Sequence, residues 1–530
     1  MRLRAALAAL TLLAVTAACD VDLGEDETTL RVLAGSELAD LRPILEQAED
    51  EIGVEVELDF AGTLDGVQRV LDGKADGRYE AVWFSSDRYL TLHTGARAKL
   101  GTSVRTMRSP VVLGLRASVA SQLGWDATPP TWAEIADAAG KGRFGYGMTS
   151  PAASNSGFST LVAVTAALSG SGTALDAAAI RAQAPGLKRF FSAQRLTSGS
   201  SGWLSERLVD RNSAGAEVDG MFNYESELLA LNASGRLPEQ FTIIRPRDGV
   251  ITADYPLTLL ASAPAAARDA HARLTGYLRR PEVQRQIMSR THRRPAVPEV
   301  RPEARFGESP PELPFPSRLD AVDTLVAAYY DEFRRPARTI YVLDVSGSMA
   351  GDRIAGLRSA LTALTGADGS LAGRFQRFHN REEVTLMLFN SRPGRPVSYV
   401  IPERDPAAEL ARIRNYAGAL RNPRGGTAIY DSLAAAYRVA GEQAARDPDR
   451  YTSIVLMSDG ENTAGTRLAQ FRLFHAGLPE GPRAVPVFAV LFGEARADEM
   501  AELARLTGGR TFDARSQSLA TVFREIRGYQ

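Results

Sequence analysis

Three separated stretches of the chain end in small, oxygen-bearing side chains. Thr339-Ile-Tyr-Val-Leu-Asp344-Val-Ser346-Gly-Ser348-Met349 is a short apolar run that stops abruptly in an acid and two hydroxyls. Arg424-Gly-Gly-Thr427-Ala-Ile-Tyr-Asp431 is a glycine turn opening an amphipathic helix, with a threonine at its mouth. Ser453-Ile-Val-Leu-Met-Ser-Asp459-Gly-Glu461-Asn462 is a second apolar run ending in an acid. Asp344 and Asp459 supply charge, while Ser346, Ser348 and Thr427 supply neutral oxygens. An all-oxygen set of this kind suits a hard divalent cation, Mg²⁺ first, with Mn²⁺ and Ca²⁺ as alternatives. Gly347 lets the backbone turn tightly enough for both serine hydroxyls to face one point.

Such side chains need a scaffold that delivers them together. An apolar run without alternation suits a strand buried on both faces of a parallel sheet. The oxygens then lie just beyond its carboxyl end, where open α/β sheets place their ligands. On these residues, in this order, the C-terminal part resembles a von Willebrand factor type A domain with a metal-ion-dependent adhesion site. The resemblance covers 335–530 and implies a doubly wound, Rossmann-like α/β fold. It also implies a divalent metal at Asp344, Ser346, Ser348, Thr427 and Asp459, completed by a carboxylate from a protein partner. Val384–Phe389, Ser453–Met457 and Val485–Phe492 read as further strands, and Gly508–Phe512 as a short edge strand. Helices are expected around Ile354–Leu364, Ile429–Val439, Glu499–Leu506 and Leu519–Ile526.

The chain begins with Arg2 and Arg4, an apolar stretch from Ala5 to Ala18, and then Cys19, its only cysteine. This layout is that of a secretory signal and is too short to span a bilayer. Thr16-Ala-Ala-Cys19 resembles a bacterial lipobox, with threonine where leucine is commoner. The resemblance implies lipidation of Cys19 and attachment to the extracytoplasmic face of the cell membrane, where two acyl chains suffice for stable anchoring. Residues 1–19 are then the signal and 20–28 an acidic tether.

From Leu30 strand and helix signals alternate: Thr29–Ser36, Leu38–Ile52, Val54–Phe60, a helix through Val67, Val70 and Leu71, then Glu80–Asp87. That order makes a parallel α/β lobe. Arg108–Arg116 reads as a crossing strand, and Pro130-Thr-Trp132 as the start of the helix beyond it. Residues 29–298 resemble a type II solute-binding protein, with one lobe near 28–108 and 245–295 and the other near 110–243. The resemblance implies a ligand cleft lined from strand ends and helix starts, with Ser36, Ser85, Ser86, Ser154, Ser156 and Tyr224 as contacts. Thr63, Thr149, Ser150, Asn155 and Asn223 belong to the same loops. Many of these hydroxyls have a plainer role as helix caps.

Residues 293–318 are proline-dense, and such a segment favours an extended, semi-rigid spacer. With the amphipathic stretch Leu319–Phe333, expected to pack on the following domain, it makes 299–334 a linker. Net charge is −1 and charged residues are 24%, so no basic excess exists to neutralise nucleic acid. The five histidines are scattered, no phosphate-binding glycine–lysine loop occurs, and no G-x-S-x-G elbow occurs. The sequence therefore reads as non-enzymatic. Two non-enzymatic functions fit: a lipid-anchored surface protein holding a protein partner through the metal, or an ABC-transporter receptor for a small, anionic solute with an accessory A domain. An unrecognised hydrolase using Asp344 and Asp459 as a carboxylate pair is the third reading.

Overall fold

The computed structural model describes residues 28–170, 175–213, 218–421, 423–493 and 496–530. Cys19, the signal segment and nearly all of the acidic tether lie outside the described residues. The fold is α/β throughout, with three sheets.

The first lobe is a five-stranded sheet in the spatial order Val54–Phe60, Thr28–Ala34, Ala81–Trp83, Pro256–Leu260, Leu100–Arg105. Its first three strands are parallel, and the returning Pro256–Leu260 runs antiparallel between Ala81–Trp83 and Leu100–Arg105. The helix Arg42–Ile52 has proline in its first turn and stops at Gly53, whose φ of 61° is left-handed. Both features follow from backbone chemistry at helix ends. Met107–Arg116 then carries the chain into the second lobe, pairing with Gly220–Tyr224 and Phe241–Ile244. The helix expected after it begins at Trp132, where Thr131 and Glu134 cap each other reciprocally.

The proline-dense segment departs from the expected spacer. Arg294–Pro295 adds to the edge of Met107–Arg116, and the amide of Leu313 donates to the carbonyl of Val250 at 2.8 Å. Buried Arg294 forks onto buried Glu225 at 2.6 and 2.9 Å. Val297, Val300 and Phe306 are buried as well. Proline leaves no amide to satisfy and apolar neighbours drive the strand of chain down, so the segment is a strap on the N-terminal module. The helix Leu319–Ala328 departs in part from expectation: its apolar face packs into the core of the second lobe, and the same cluster takes in Leu371 and Phe375 of the following domain. Tyr329 meets Phe191 edge-on at 4.9 Å. The helix reaches the C-terminal domain through Asp323, which pairs with Arg374 at 3.2 Å, and through the turn after it, where Tyr330 stacks on His379 at 4.6 Å.

The C-terminal sheet runs Val397–Val400, Glu383–Phe389, Ala337–Asp344, Tyr451–Ser458, Val487–Leu491, Arg510–Asp513. All neighbours are parallel except the first pair. The central strand Ala337–Asp344 is buried along its whole length. Ile340 and Val342 pack with Leu433 and Ala436 of the helix Ile429–Arg446, while Tyr341 and Leu343 pack with Leu357, Leu361 and Phe523 on the other face. Two cores on one strand explain why its sequence shows no alternation.

Candidate functional site

The three oxygen-bearing loops meet at the carboxyl ends of Ala337–Asp344 and Tyr451–Ser458, and bonds tie each to the others. Ser348 Oγ donates to Asp459 Oδ1 at 2.7 Å and lies 3.0 Å from Ser346 Oγ. The Gly347 amide donates to the Gly425 carbonyl at 3.0 Å. The Thr427 amide donates to Thr463 Oγ1 at 2.9 Å, and the Thr463 amide returns to the Thr427 carbonyl at 2.9 Å. Asp344, Ser346, Thr427 and Asp459 are buried, and Ser348 is exposed at the mouth.

Asp344 is fixed from both sides: its Oδ1 accepts from the Ser346 amide at 2.8 Å and its Oδ2 from Ser458 Oγ at 2.6 Å. Burial pushes its carboxyl above the ordinary range, against the hydrogen bonds from Ser458 and Ser346 and with nearby Asp459 adding to the rise. The Thr427 hydroxyl makes no hydrogen bond among the described residues. Among the same residues no cluster of three or more His, Cys, Asp or Glu could hold a metal. Any ion here would therefore rest on two carboxylates and hydroxyls, a set that fits a hard cation keeping some water. Sequence reasoning did not single out Ser458, next to Asp459, or Arg353, whose Nη1 donates to Asp459 Oδ2 at 2.6 Å. Ser458 sat in plain view at a strand end. Nothing in the spacing points to Arg353.

A second candidate site is a cavity of about 380 Å³ between the two N-terminal lobes. Ser36, Ser85, Ser86 and Ser154 line it, as do Thr63 and Asn155. Ser156 and Tyr224 do not reach the surface of the cavity; they support it from behind. Ser156 bonds to Thr149 at 2.8 Å and Ser201 at 3.0 Å, and Tyr224 donates to Ser85 at 2.9 Å. The last bond and the Thr63 amide to Ala153 carbonyl contact, 3.3 Å, join the lobes across the cleft. Ser150 is taken by the Tyr330 hydroxyl, and Asn223 holds the Tyr224 amide at 2.9 Å.

Residues 30–290 match the family model described as bacterial extracellular solute-binding protein, and residues 339–461 that of the von Willebrand factor type A domain. The chain thus joins a solute-binding domain to an A domain. No curated protein matches it. Solved structures similar to it include the periplasmic binding protein AfuA from Actinobacillus pleuropneumoniae, 11% identical, covering 58% of this chain and 99% of that one, TM-score 0.43. HitA from Pseudomonas aeruginosa is 15% identical over 56% and 97%, TM-score 0.42. The ferric binding protein from Campylobacter jejuni is 12% identical over 56% and 94%, TM-score 0.40. Among the described residues no helix is long and apolar enough to cross a membrane.

Proposed function

We propose that this is a lipid-anchored extracytoplasmic protein that captures a protein partner through a divalent ion in its A domain. Asp344, Ser346, Ser348, Thr427 and Asp459 would hold the ion. When bound, it supplies an open position for a carboxylate of the partner. The observation that carries this reading is the bonding of three separate loops around two buried carboxylates, with the Ser348 hydroxyl left at the surface. Cys19 would carry the anchor, and the N-terminal cleft would act as a second recognition surface. Affinity capture of partners from a cell extract, with and without EDTA, tests the reading. Capture that persists without metal, and in Asp344→Asn, would sink it.

The cavity between the lobes favours a second reading, a receptor that delivers a small solute to a permease. Solute uptake that fails when the gene is deleted and returns with Asp344→Asn would select it.

A further inference from the structure

The cavity between the N-terminal lobes has a further wall, and the A domain builds it. The edge strand Arg510–Asp513, the turn at Gln517, the helix Leu519–Arg527 and Tyr529 all reach the cavity or flank residues that do. Two glycines make this approach close. A Cβ on Gly199 would fall 2.5 Å from the Tyr529 ring, and one on Gly528 would fall 2.9 Å from Ala153 Cβ. Trp203 of the second lobe meets Tyr529 edge-on at 4.9 Å. The A domain is also tied to the first lobe and to the helix Leu319–Ala328: the Leu371 amide donates to Gln68 at 2.6 Å, and Arg374 pairs with Asp323 at 3.2 Å.

Charge around the cavity is unevenly matched. Arg69 is paired with Asp65 at 2.7 Å and Arg524 with Asp368 at 2.6 Å. Arg510 has no carboxylate within ion-pair distance among the described residues; it donates to the Tyr529 hydroxyl and stacks on Phe512 and Tyr529. The helices Thr63–Leu71, Asn155–Ser169 and Ser201–Ser213 all begin on the cavity wall. Their positive ends add to the unmatched guanidinium. Glu37 and Glu525 oppose it, and burial pushes both carboxyls above their ordinary range. Hydroxyls of Ser36, Ser85, Ser154 and Thr521 and the amide of Asn155 complete a lining suited to several ligand hydroxyls.

We propose that the cavity is a composite ligand site, completed by the A domain, for a small polyhydroxylated organic acid, with Arg510 supplying the cation. Its volume is within the usual range for such ligands. A ligand that needs walls from both modules binds only their docked arrangement and so stabilises it. The inference deepens the reading of the cleft as a second recognition surface and is independent of the metal site.

The test uses the full chain, calorimetry and tryptophan fluorescence, with gluconate, ribose 5-phosphate and neutral glucose as probes. At least one acid should bind and glucose should not, and the comparison of the acids separates carboxylate from phosphate. Arg510→Gln should weaken binding about tenfold or more, as a lost charge-assisted contact does. Gln517→Glu, on an exposed turn, should also weaken it by adding negative charge without removing packing. Binding of neither acid, equal binding of glucose, or acid binding untouched by both variants would overturn the proposal. EDTA-sensitive partner capture should survive both variants. Failure of capture alone would therefore sink the metal reading and leave this one standing.

Discussion

Arg353 donates to Asp459 Oδ2 at 2.6 Å while Ser348 donates to Asp459 Oδ1 at 2.7 Å. A fixed positive charge therefore sits on one of the two carboxylates available to an ion. Asp459 is fully enclosed, and Arg353 reaches it from a position one-third exposed. The guanidinium neutralises a buried carboxylate that would otherwise be costly to leave unpaired. It also competes with any other cation for the same group.

Removing that competitor should tighten ion binding. Arg353→Ala is expected to lower the Kd for Mn²⁺ by about tenfold, equivalent to about 1.4 kcal/mol. Calorimetry or the paramagnetic signal of free Mn²⁺ reads this directly, without a partner. Weaker binding in the variant would mean that Arg353 positions Asp459 for the ion.

Withdrawal of the ion should cost little stability and all of the capture. With a Kd between a tenth of ambient metal and equal to it, binding contributes about 0.4–1.4 kcal/mol. EDTA should then shift the melting temperature by only a few degrees. Asp344→Ala is a poorer probe, because Asp344 also anchors the Ser346 amide and Ser458. Leaving those buried donors unpaired costs about 1–3 kcal/mol each. Asp344→Asn retains an acceptor and should lose capture with a smaller loss of stability. Exposed Glu461→Ala should leave capture unchanged. Unfolding of the A domain by EDTA would make the ion structural.

The loops of the A domain were legible in the sequence because each follows an apolar run that two cores bury, so the run is continuous and its end is abrupt. Ala337–Asp344 and Tyr451–Ser458 lie within two residues of where the pattern put them. The edge strand Val397–Val400 was not legible: it alternates between buried Tyr399 and exposed Val400 and pairs antiparallel across a short turn. The strap was misread because proline density describes local stiffness, whereas Phe306 and Arg294 are held by partners far away in sequence. For the same reason the roof over the cleft was invisible. Gly199, Trp203, Arg510 and Tyr529 become neighbours only through the docking of two domains. Ser156 and Tyr224 had the right chemistry and loops, but stand one layer behind the wall.

The anchor is tested apart from the rest. Cys19→Ser should move the protein from the membrane fraction to the soluble one, since Cys19 is the only thiol in the chain and the only candidate for acylation. Retention of the variant on membranes after a carbonate wash would defeat the lipoprotein reading.

The strap should resist proteases. An extended proline-dense spacer would be cut first, but Arg294–Pro295 is paired into a sheet and Phe306 is fully buried. Limited proteolysis of the intact chain should therefore yield little cleavage between 295 and 320. Arg294→Ala leaves buried Glu225 with Arg245 alone, at 2.7 Å. Breaking a buried pair costs about 3–5 kcal/mol, with Arg245 holding the loss near the lower end, and cleavage at the strap should then become fast. Rapid cleavage of the unmodified chain there would mean that the strap is loosely held.

The junction between helix and A domain should fail in acid. Asp331, just beyond the helix Leu319–Ala328, lies 3.1 Å from His379 Nδ1 and accepts from the Asn380 amide at 3.0 Å. Burial alone would raise its carboxyl, but His379 and Arg377 prevail and hold it down to about 2. A carboxyl lowered on folding contributes stability that is complete above its unfolded value and is lost as pH falls through its folded one. From 3.8 to about 2, that contribution is about 2 kcal/mol. Glu382 behind it is also held low: burial opposes, and Arg527, His379 and Arg334 outweigh it. Asp331→Asn should therefore be less stable than the unmodified chain by about 2 kcal/mol near pH 4, where the burial-lowered His379 can still carry its proton. That gap should close as pH falls from 4 to 2, and Glu382, present in both chains, drops out of the comparison. Denaturant unfolding at a series of pH values measures the gap. A difference that stays constant across this range would show that the Asp331 charge contributes nothing and that its hydrogen bonds alone hold the junction.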